Sequence, residues 1–153
     1  MTYEFVSATQ EHVQPLLDDI SPDIAEEMKL LKNIPLEESV SRCISRSDEA
    51  WTALYNGEVI CIFGIRRKNL LSDVAYPWLL TTTRVKDHKR NFLKGSKLAI
   101  DKWIGMYGVL ENYIPTGLDR LVRWLEWAGF TVYPAFPVGL EGRPMHRIEM
   151  RKP

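Results

Sequence analysis

The stretch "AWTALYNGEVICIFGIRRK", residues 50–68, constrains the fold more than any other. Two runs rich in β-branched and aromatic residues flank Asn56-Gly57. That dipeptide suits a two-residue hairpin turn, because both of its positions accept positive φ. The middle of the chain is therefore expected to be two adjacent antiparallel strands. A hairpin alone is marginal in water, so the flanking segments must supply more strands and an apolar cover.

Those segments read accordingly. "YEFVS" (3–7) is a short first strand. Ser7 or Thr9 caps a helix through "QEHVQPLLDDI", with Val13, Leu16, Leu17 and Ile20 at helical spacing and Pro15 early in it. "SPDIAEEMKLLKN" gives a second helix, with Ser21 as cap and Pro22 in the first turn. "PLEESVSRCISRS" gives a third. "DVAYPWLLTTTRV" is a further β-run, in which Pro77 indicates an edge or a bulge. A long helix follows, with Phe92, Leu93, Ser96, Ala99, Ile100, Trp103, Ile104 and Tyr107 on one face and Gly108 as its stop. "VLENYI" is a strand. "TGLDRLVRWLEWAGF" is an amphipathic helix with Leu118, Leu121, Val122 and Leu125 inward. "TVYPAF" and "HRIEM" are the last strands. The mixed order predicts a single α/β (α+β) domain over residues 1–153, a layered sheet with helices on its faces.

The chain has no net charge, but the balance is uneven. Residues 84–97 hold six cations against one anion, whereas residues 8–49 hold ten acids against four bases. That distribution argues against a nucleic-acid binder, which needs a broader basic field, and for a local anion site. No apolar run is long enough to span a membrane, and the first residues do not form a secretory signal. Cys43 and Cys61 make no disulfide framework, so a reducing, cytoplasmic setting is expected, with Cys61 a small buried hydrophobe. His12, His88, His146 and the cysteines lie too far apart for a paired metal-ligand spacing, so no metal is expected.

"RVKDHKRNFLKGSKLAIDKW" (84–103) carries the anion-binding chemistry. A strand, a polar turn and a helix with a basic start present unpaired backbone N–H groups and full positive charges together. A glycine lets the backbone approach a phosphate. The ligand so implied is phosphorylated; the plainer alternative is a solvated basic helix face.

The order of elements resembles the GNAT superfamily, the acetyl-coenzyme-A-dependent N-acyltransferases. "YEFVSATQEHVQPLLDDI" is similar to that family's opening strand and helix, and "WTALYNGEVICIFGI" to its second and third strands. "WLLTTTRVKDHKRNFLKGSKLA" stands where the family has its fourth strand and pyrophosphate loop, in which a Val is followed five residues on by Arg or Gln and then x-x-G-x-G/A. Here Val85, Arg90 and Gly95 match and Leu93 replaces the first glycine. The resemblance implies a central mixed, mostly antiparallel twisted sheet flanked by helices. It also implies an acetyl-coenzyme A (or other acyl-coenzyme A) site at Thr82, Thr83, Arg84, Val85, Arg90, Asn91, Lys94, Gly95 and Ser96. Backbone N–H groups of about 90–96 would hold the pyrophosphate, with Arg84, Lys89, Arg90 or Lys94 neutralising it. Main-chain carbonyls near Thr81 to Thr83 would place the thioester.

The chain also departs from that pattern. Leu125 occupies the place of the tyrosine that protonates the leaving thiolate, Leu118 that of a common asparagine, and "WLLTTTRV" lacks the strand glutamate that serves as base. Glu111, Asn112 and Tyr113 are the remaining catalytic candidates, with Glu111 and Tyr113 on one face and Asn112 on the other. "LENYI" and the "RWL" that precedes Gly129 resemble the internal virion protein (internal core protein A) family of short-tailed bacteriophages. That resemblance implies a phage-encoded protein in the host cytoplasm, linked to virion assembly. The first expectation is an N-acyltransferase in which an amine attacks the thioester directly; the second, favoured by the missing tyrosine, asparagine and glutamate and by the phage resemblance, is an assembly protein that keeps the fold and has lost the chemistry. The expected partner is thus an amine acceptor, small molecule or protein, or else phage or host proteins. Neither a membrane nor a nucleic acid is expected. Trp103 reads as core. Trp124 and Trp127, three apart on one helix face, read either as packing under the sheet or as a partner contact.

Overall fold

The computed structural model describes residues 2–31 and 33–153. In chain order the elements are β1 (Tyr3–Ser7), a 3₁₀ turn, α1 (Val13–Asp18), α2 (Pro22–Leu31), α3 (Leu36–Arg46), β2 (Glu49–Tyr55), β3 (Glu58–Arg67) and β4 (Val74–Thr81). A second 3₁₀ turn (Thr83–His88) leads into α4 (Lys89–Tyr107). β5 (Val109–Pro115), α5 (Asp119–Ala128), β6 (Thr131–Val132), β7 (Phe136–Pro137) and β8 (Pro144–Arg151) complete the chain. The result is a mixed α/β fold with a mostly antiparallel sheet. No helix among the described residues is long and apolar enough to cross a membrane.

The chain divides into two compact units, Met1–Arg66 with Pro77–Phe92, and Arg67–Tyr76 with Leu93–Pro153. In the first, β1 pairs antiparallel with β2, and β2 with β3. Asn56 (φ 50°) and Gly57 (φ 81°) turn the hairpin as their sequence requires. β3 is buried continuously from Val59 to Ile62, the mark of a strand covered on both faces. One core cluster joins Val13, Leu16, Ile24, Met28, Val40, Val59, Ile62 and Leu80. A second joins Ala53, Ile60 and Cys61, with Leu79, Val85 and Phe92 packed against it. Cys61 is 4% exposed and burial pushes its thiol up to about 12, the state of an inert core residue. The first helix is shorter than its sequence pattern suggests. Pro15 falls in its first turn, and a 3₁₀ turn (Gln10–His12) precedes it, capped by Thr9, whose N–H donates to His12 Nδ1.

In the second unit, β5 pairs in parallel with β4 at Val74 and Ala75 and antiparallel with β8 along its whole length. β6 and β7 also pair with β8. Ile100, Trp103 and Tyr107 are the buried positions of α4, and Leu125 and Ala128 those of α5. Trp103 is core, at 3% exposure. Gly108 (φ 91°) and Gly129 (φ 109°) close the two helices in the left-handed conformation that favours glycine.

Candidate functional site

The end of β4 is tied to the connector between α1 and α2. Ser21 N–H donates to Thr81 O at 2.9 Å, and Thr83 N–H donates to Asp19 O at 2.9 Å. These two bonds make an antiparallel bridge between Ile20 and Thr82. On the opposite side Thr82 N–H donates to Ile60 O of β3 at 3.0 Å, and the Thr82 hydroxyl to the same carbonyl at 2.7 Å. Thr82 O accepts from Val85 N–H. The main chain assigned to the thioester from the sequence is therefore engaged within the protein at Thr81 and Thr82. Strand alternation turns the N–H and C=O of Leu79 toward the same side as Thr81 O.

Helical structure begins earlier than the sequence suggests. Thr82 is extended (φ −98°, ψ 168°), the 3₁₀ turn starts at Thr83, and Lys89 (φ −54°, ψ −45°) continues into α4 without a break. Arg90, Asn91, Lys94, Gly95 and Ser96 all lie on α4. An α-helix leaves only its first four N–H groups without an internal partner, so the N–H groups of Lys94 to Ser96 are engaged inside it. The Ser96 hydroxyl donates to Leu93 O. No open loop separates β4 from α4, and the N–H groups of Thr83 and Val85 at the head of the turn also have partners.

What remains for an anion is the side chains. Arg84 is engaged: its Nε lies 3.0 Å from Glu58 Oε2, and its NH1 lies 3.5 Å from Asp19 Oδ2 and within reach of Val59 O. Lys86, Lys89, Arg90 and Lys94 are exposed, and among the described residues none pairs with a carboxylate. Val85 is half-buried against the Ala53, Ile60 and Cys61 cluster, whereas Asn91 is exposed. His88, last in the turn, is held by Tyr3, whose hydroxyl bonds its Nδ1, and by the ring of Tyr55. Free ammonium and guanidinium groups are the donor set a pyrophosphate requires, so these residues could hold such a group through side chains more than through a backbone cradle.

The three catalytic candidates lie on β5 in the second unit, and their surroundings separate them. Glu111 Oε1 accepts from Arg147 Nε at 3.1 Å. Arg147 also bonds Glu149, which is 7% exposed and is further held by Arg151 Nε at 2.9 Å and Tyr133 Oη at 3.2 Å. The Glu111 carboxylate holds the Arg147 guanidinium charged well above its usual range. Arg151, and then Arg147, keep the Glu149 carboxyl below the usual carboxylate range against the opposing effect of burial. Glu111 thus belongs to a closed charge network. Asn112 Oδ1 accepts from Tyr113 N–H at 2.8 Å. Tyr113 is 36% exposed, its ring stands edge-on to Phe136, and its hydroxyl has no hydrogen-bond partner among the described residues. Among the described residues, no three His, Cys, Asp or Glu side chains converge to hold a metal ion.

Leu125, which the sequence resemblance sets in the place of a tyrosine, is 4% exposed. Leu118 is the residue immediately before α5. Trp127 is 54% exposed, whereas Trp124 is half-buried.

No family model matches the chain, and no curated protein matches its sequence. Solved structures match its fold. A ribosomal-protein-alanine N-acetyltransferase from Brucella melitensis superposes with a TM-score of 0.69 at 14% identity, over 97% of this chain and 99% of that one. A GCN5-related N-acetyltransferase from Kribbella flavida gives 0.69 at 13% identity, over 98% of each chain. A chimera of the Vibrio cholerae spermidine N-acetyltransferase SpeG with hSSAT gives 0.70 at 8% identity, over 99% of this chain and 96% of that one. The fold is that of the GNAT acetyltransferases.

Proposed function

We propose that the protein is an acyl-coenzyme-A-dependent N-acyltransferase that moves an acetyl group from acetyl-coenzyme A to an amine. The observation that carries this reading is the set of exposed, unpaired cations Lys86, Lys89, Arg90 and Lys94, which follows β4 in a fold shared with acetyltransferases. Their charge would neutralise the pyrophosphate, and main-chain groups of β4 near Leu79 would receive the pantetheine arm. Bound acetyl-coenzyme A supplies the activated acyl group. An amine would attack it directly, with no covalent enzyme intermediate. Of the three candidates on β5, Glu111 and Asn112 are already engaged, whereas the Tyr113 hydroxyl has no hydrogen-bond partner among the described residues.

Calorimetric titration with acetyl-coenzyme A tests this reading. Binding in the micromolar range is expected, and Arg90→Glu combined with Lys94→Glu is expected to abolish it. Failure to bind at millimolar ligand would overturn it.

Leu125 favours a second reading. An apolar residue buried where the family places its acid suits a protein that keeps the fold and has lost the chemistry. The sequence resemblance to phage internal virion proteins belongs to that reading, with phage or host proteins as partners. It expects no acetyl-coenzyme A binding and no turnover with any amine.

A further inference from the structure

The turn between β3 and β4 sends two adjacent leucines into solvent. Leu70 is 91% exposed and Leu71 is 98% exposed. The turn itself is ordered by its own hydrogen bonds. Its ends are joined by the Lys68 N–H, which donates to Val74 O at 2.9 Å. Asn69 Oδ1 accepts from Leu71 N–H at 3.1 Å, and Ser72 N–H donates to Asn69 O at 3.1 Å. The Ser72 hydroxyl oxygen accepts from Val74 N–H at 3.0 Å. These bonds fix a backbone that presents both side chains outward, where the chain covers neither. Single exposed apolar residues are ordinary on a protein surface. Two neighbours at nearly full exposure on an ordered tip mark a contact with something apolar.

The charges around the tip narrow the choice. Within the second unit the turn abuts the end of α4, and the end of β8 abuts α4 as well. Val109 N–H donates to Asp73 O at 3.1 Å, and the Arg67 guanidinium lies 5.0 Å from the centre of the Tyr107 ring. Lys152 N–H donates to Gly108 O at 2.7 Å, and its ammonium to Gly105 O at 3.2 Å. Met106, between those two glycines in the chain, is 53% exposed. Residues 67–73, 102–108 and 151–153 hold five cations, Arg67, Lys68, Lys102, Arg151 and Lys152, against one anion, Asp73. Asp101, just before them, is paired with Lys97, and Arg151 with Glu149. Apolar side chains on a projecting tip, with an excess of cations at its base, complement an anionic bilayer. The leucines reach the acyl boundary while the charged heads stay among the lipid headgroups. A nucleic acid would use the cations and leave the leucines in water.

We propose that the β3–β4 turn is a peripheral membrane anchor, in which Leu70 and Leu71 enter the surface of an anionic bilayer and Lys68, Lys102 and Lys152 face its headgroups. The anchor is independent of the transferase reading, since none of these residues belongs to the candidate acyl site. It lies on the membrane and needs no crossing helix. Two leucines bury less apolar surface than a single myristoyl chain, which itself anchors only reversibly, so the association is reversible and depends on lipid charge. Salt that screens the cations weakens it.

The test sediments the full chain with vesicles of equal parts phosphatidylcholine and phosphatidylserine, and with vesicles of phosphatidylcholine alone. Wild type is expected to bind the mixed vesicles roughly 10-fold more tightly than the neutral ones. Leu70→Ser combined with Leu71→Ser is expected to lose roughly 10-fold on the mixed vesicles, and so is Lys68→Glu combined with Lys152→Glu. Leu98→Ser, which removes another exposed leucine, should stay within about 2-fold of wild type. Because Leu70 and Leu71 stand in solvent, thermal melts of their serine variant should match wild type and show that it folds. Wild type left in the supernatant, equal sedimentation on the two kinds of vesicle, or equal binding by wild type and either double variant would each overturn the proposal. So would a loss in Leu98→Ser as large as that in the Leu70 and Leu71 variant. Sedimentation without vesicles, abolished by the serine variant, would assign the leucines to a second copy of the chain and overturn it likewise.

Discussion

Ser21 and Thr81 are bonded twice: the Ser21 N–H donates to the Thr81 carbonyl at 2.9 Å, and the Thr81 hydroxyl donates to the Ser21 hydroxyl at 2.8 Å. The pair fixes the start of α2 to the end of β4 across 60 residues of sequence. Everything on the first turns of α2, Glu27 included, takes its position from that junction.

Glu27 should make stability fall with pH. Burial raises its carboxyl in the folded state from 4.5 to about 7, so the folded chain holds a proton that the unfolded chain has released. Stability is then greatest below the unfolded value and declines as pH rises through about 7. Glu27→Gln removes this penalty. The variant should match wild type at pH 4 and exceed it at pH 8, by about 3 kcal/mol at most. Thermal melts at the two pH values measure the difference; an equal shift at both would deny the titration.

The Glu149 network carries the opposite sign. Its carboxyl is depressed in the folded state, so its stabilisation is present above the ordinary carboxylate value and is lost as pH falls through the folded one. Glu149→Gln should cost about 1–3 kcal/mol at neutral pH, because Arg147 and Arg151 lose their partner. Urea unfolding at pH 7 and again below pH 4 should show that gap close in acid.

Arg84 should separate structure from binding. Arg84→Gln breaks its pairs with Asp19 and Glu58, both partly open to water, and should cost about 1 kcal/mol or less of stability. Acetyl-coenzyme A affinity should change less than 3-fold. With exposed side chains as the main grip, wild-type affinity should fall steeply between low and physiological salt. Salt-insensitive binding would assign the pyrophosphate to backbone groups instead.

Gly64 should tolerate no side chain. A Cβ there would lie 2.6 Å from Glu49 O and 2.6 Å from the Trp78 ring, and the carbonyl cannot move without breaking the β2–β3 ladder. Gly64→Ala should destabilise by about 1–3 kcal/mol in chemical denaturation, whereas Gly105→Ala, with nothing near its Cβ, should be neutral or stabilising.

Local signals in the sequence were legible where chemistry and geometry coincide. Asn56-Gly57 marked its turn because few other residues accept φ of 50° and 81° in succession. Gly108 and Gly129 marked the ends of α4 and α5 for the same reason. The start of α4 was not legible. Its basic segment resembles a phosphate loop, but Lys, Arg and Leu are good helix formers, and one glycine costs a helix only about 1 kcal/mol. The helix therefore runs through Gly95. The engagement of Arg84 was also hidden, since Asp19 and Glu58 are remote in sequence and only the fold brings them to it. Glu27 did leave a trace, an acid spaced among Ile24 and Met28, but its meaning depends on burial that spacing alone does not give.

The bridge between Ile20 and Thr82 has one more consequence. A β-strand with an open side offers a template on which another chain can add, the first step toward amyloid-like stacking. The three residues 19–21 occupy the end of β4 on the side away from β3, and Pro77 cannot donate a ladder bond further back along the strand. The chain thus blunts, with its own connector, a template that its hydrophobic strand would otherwise present to its copies.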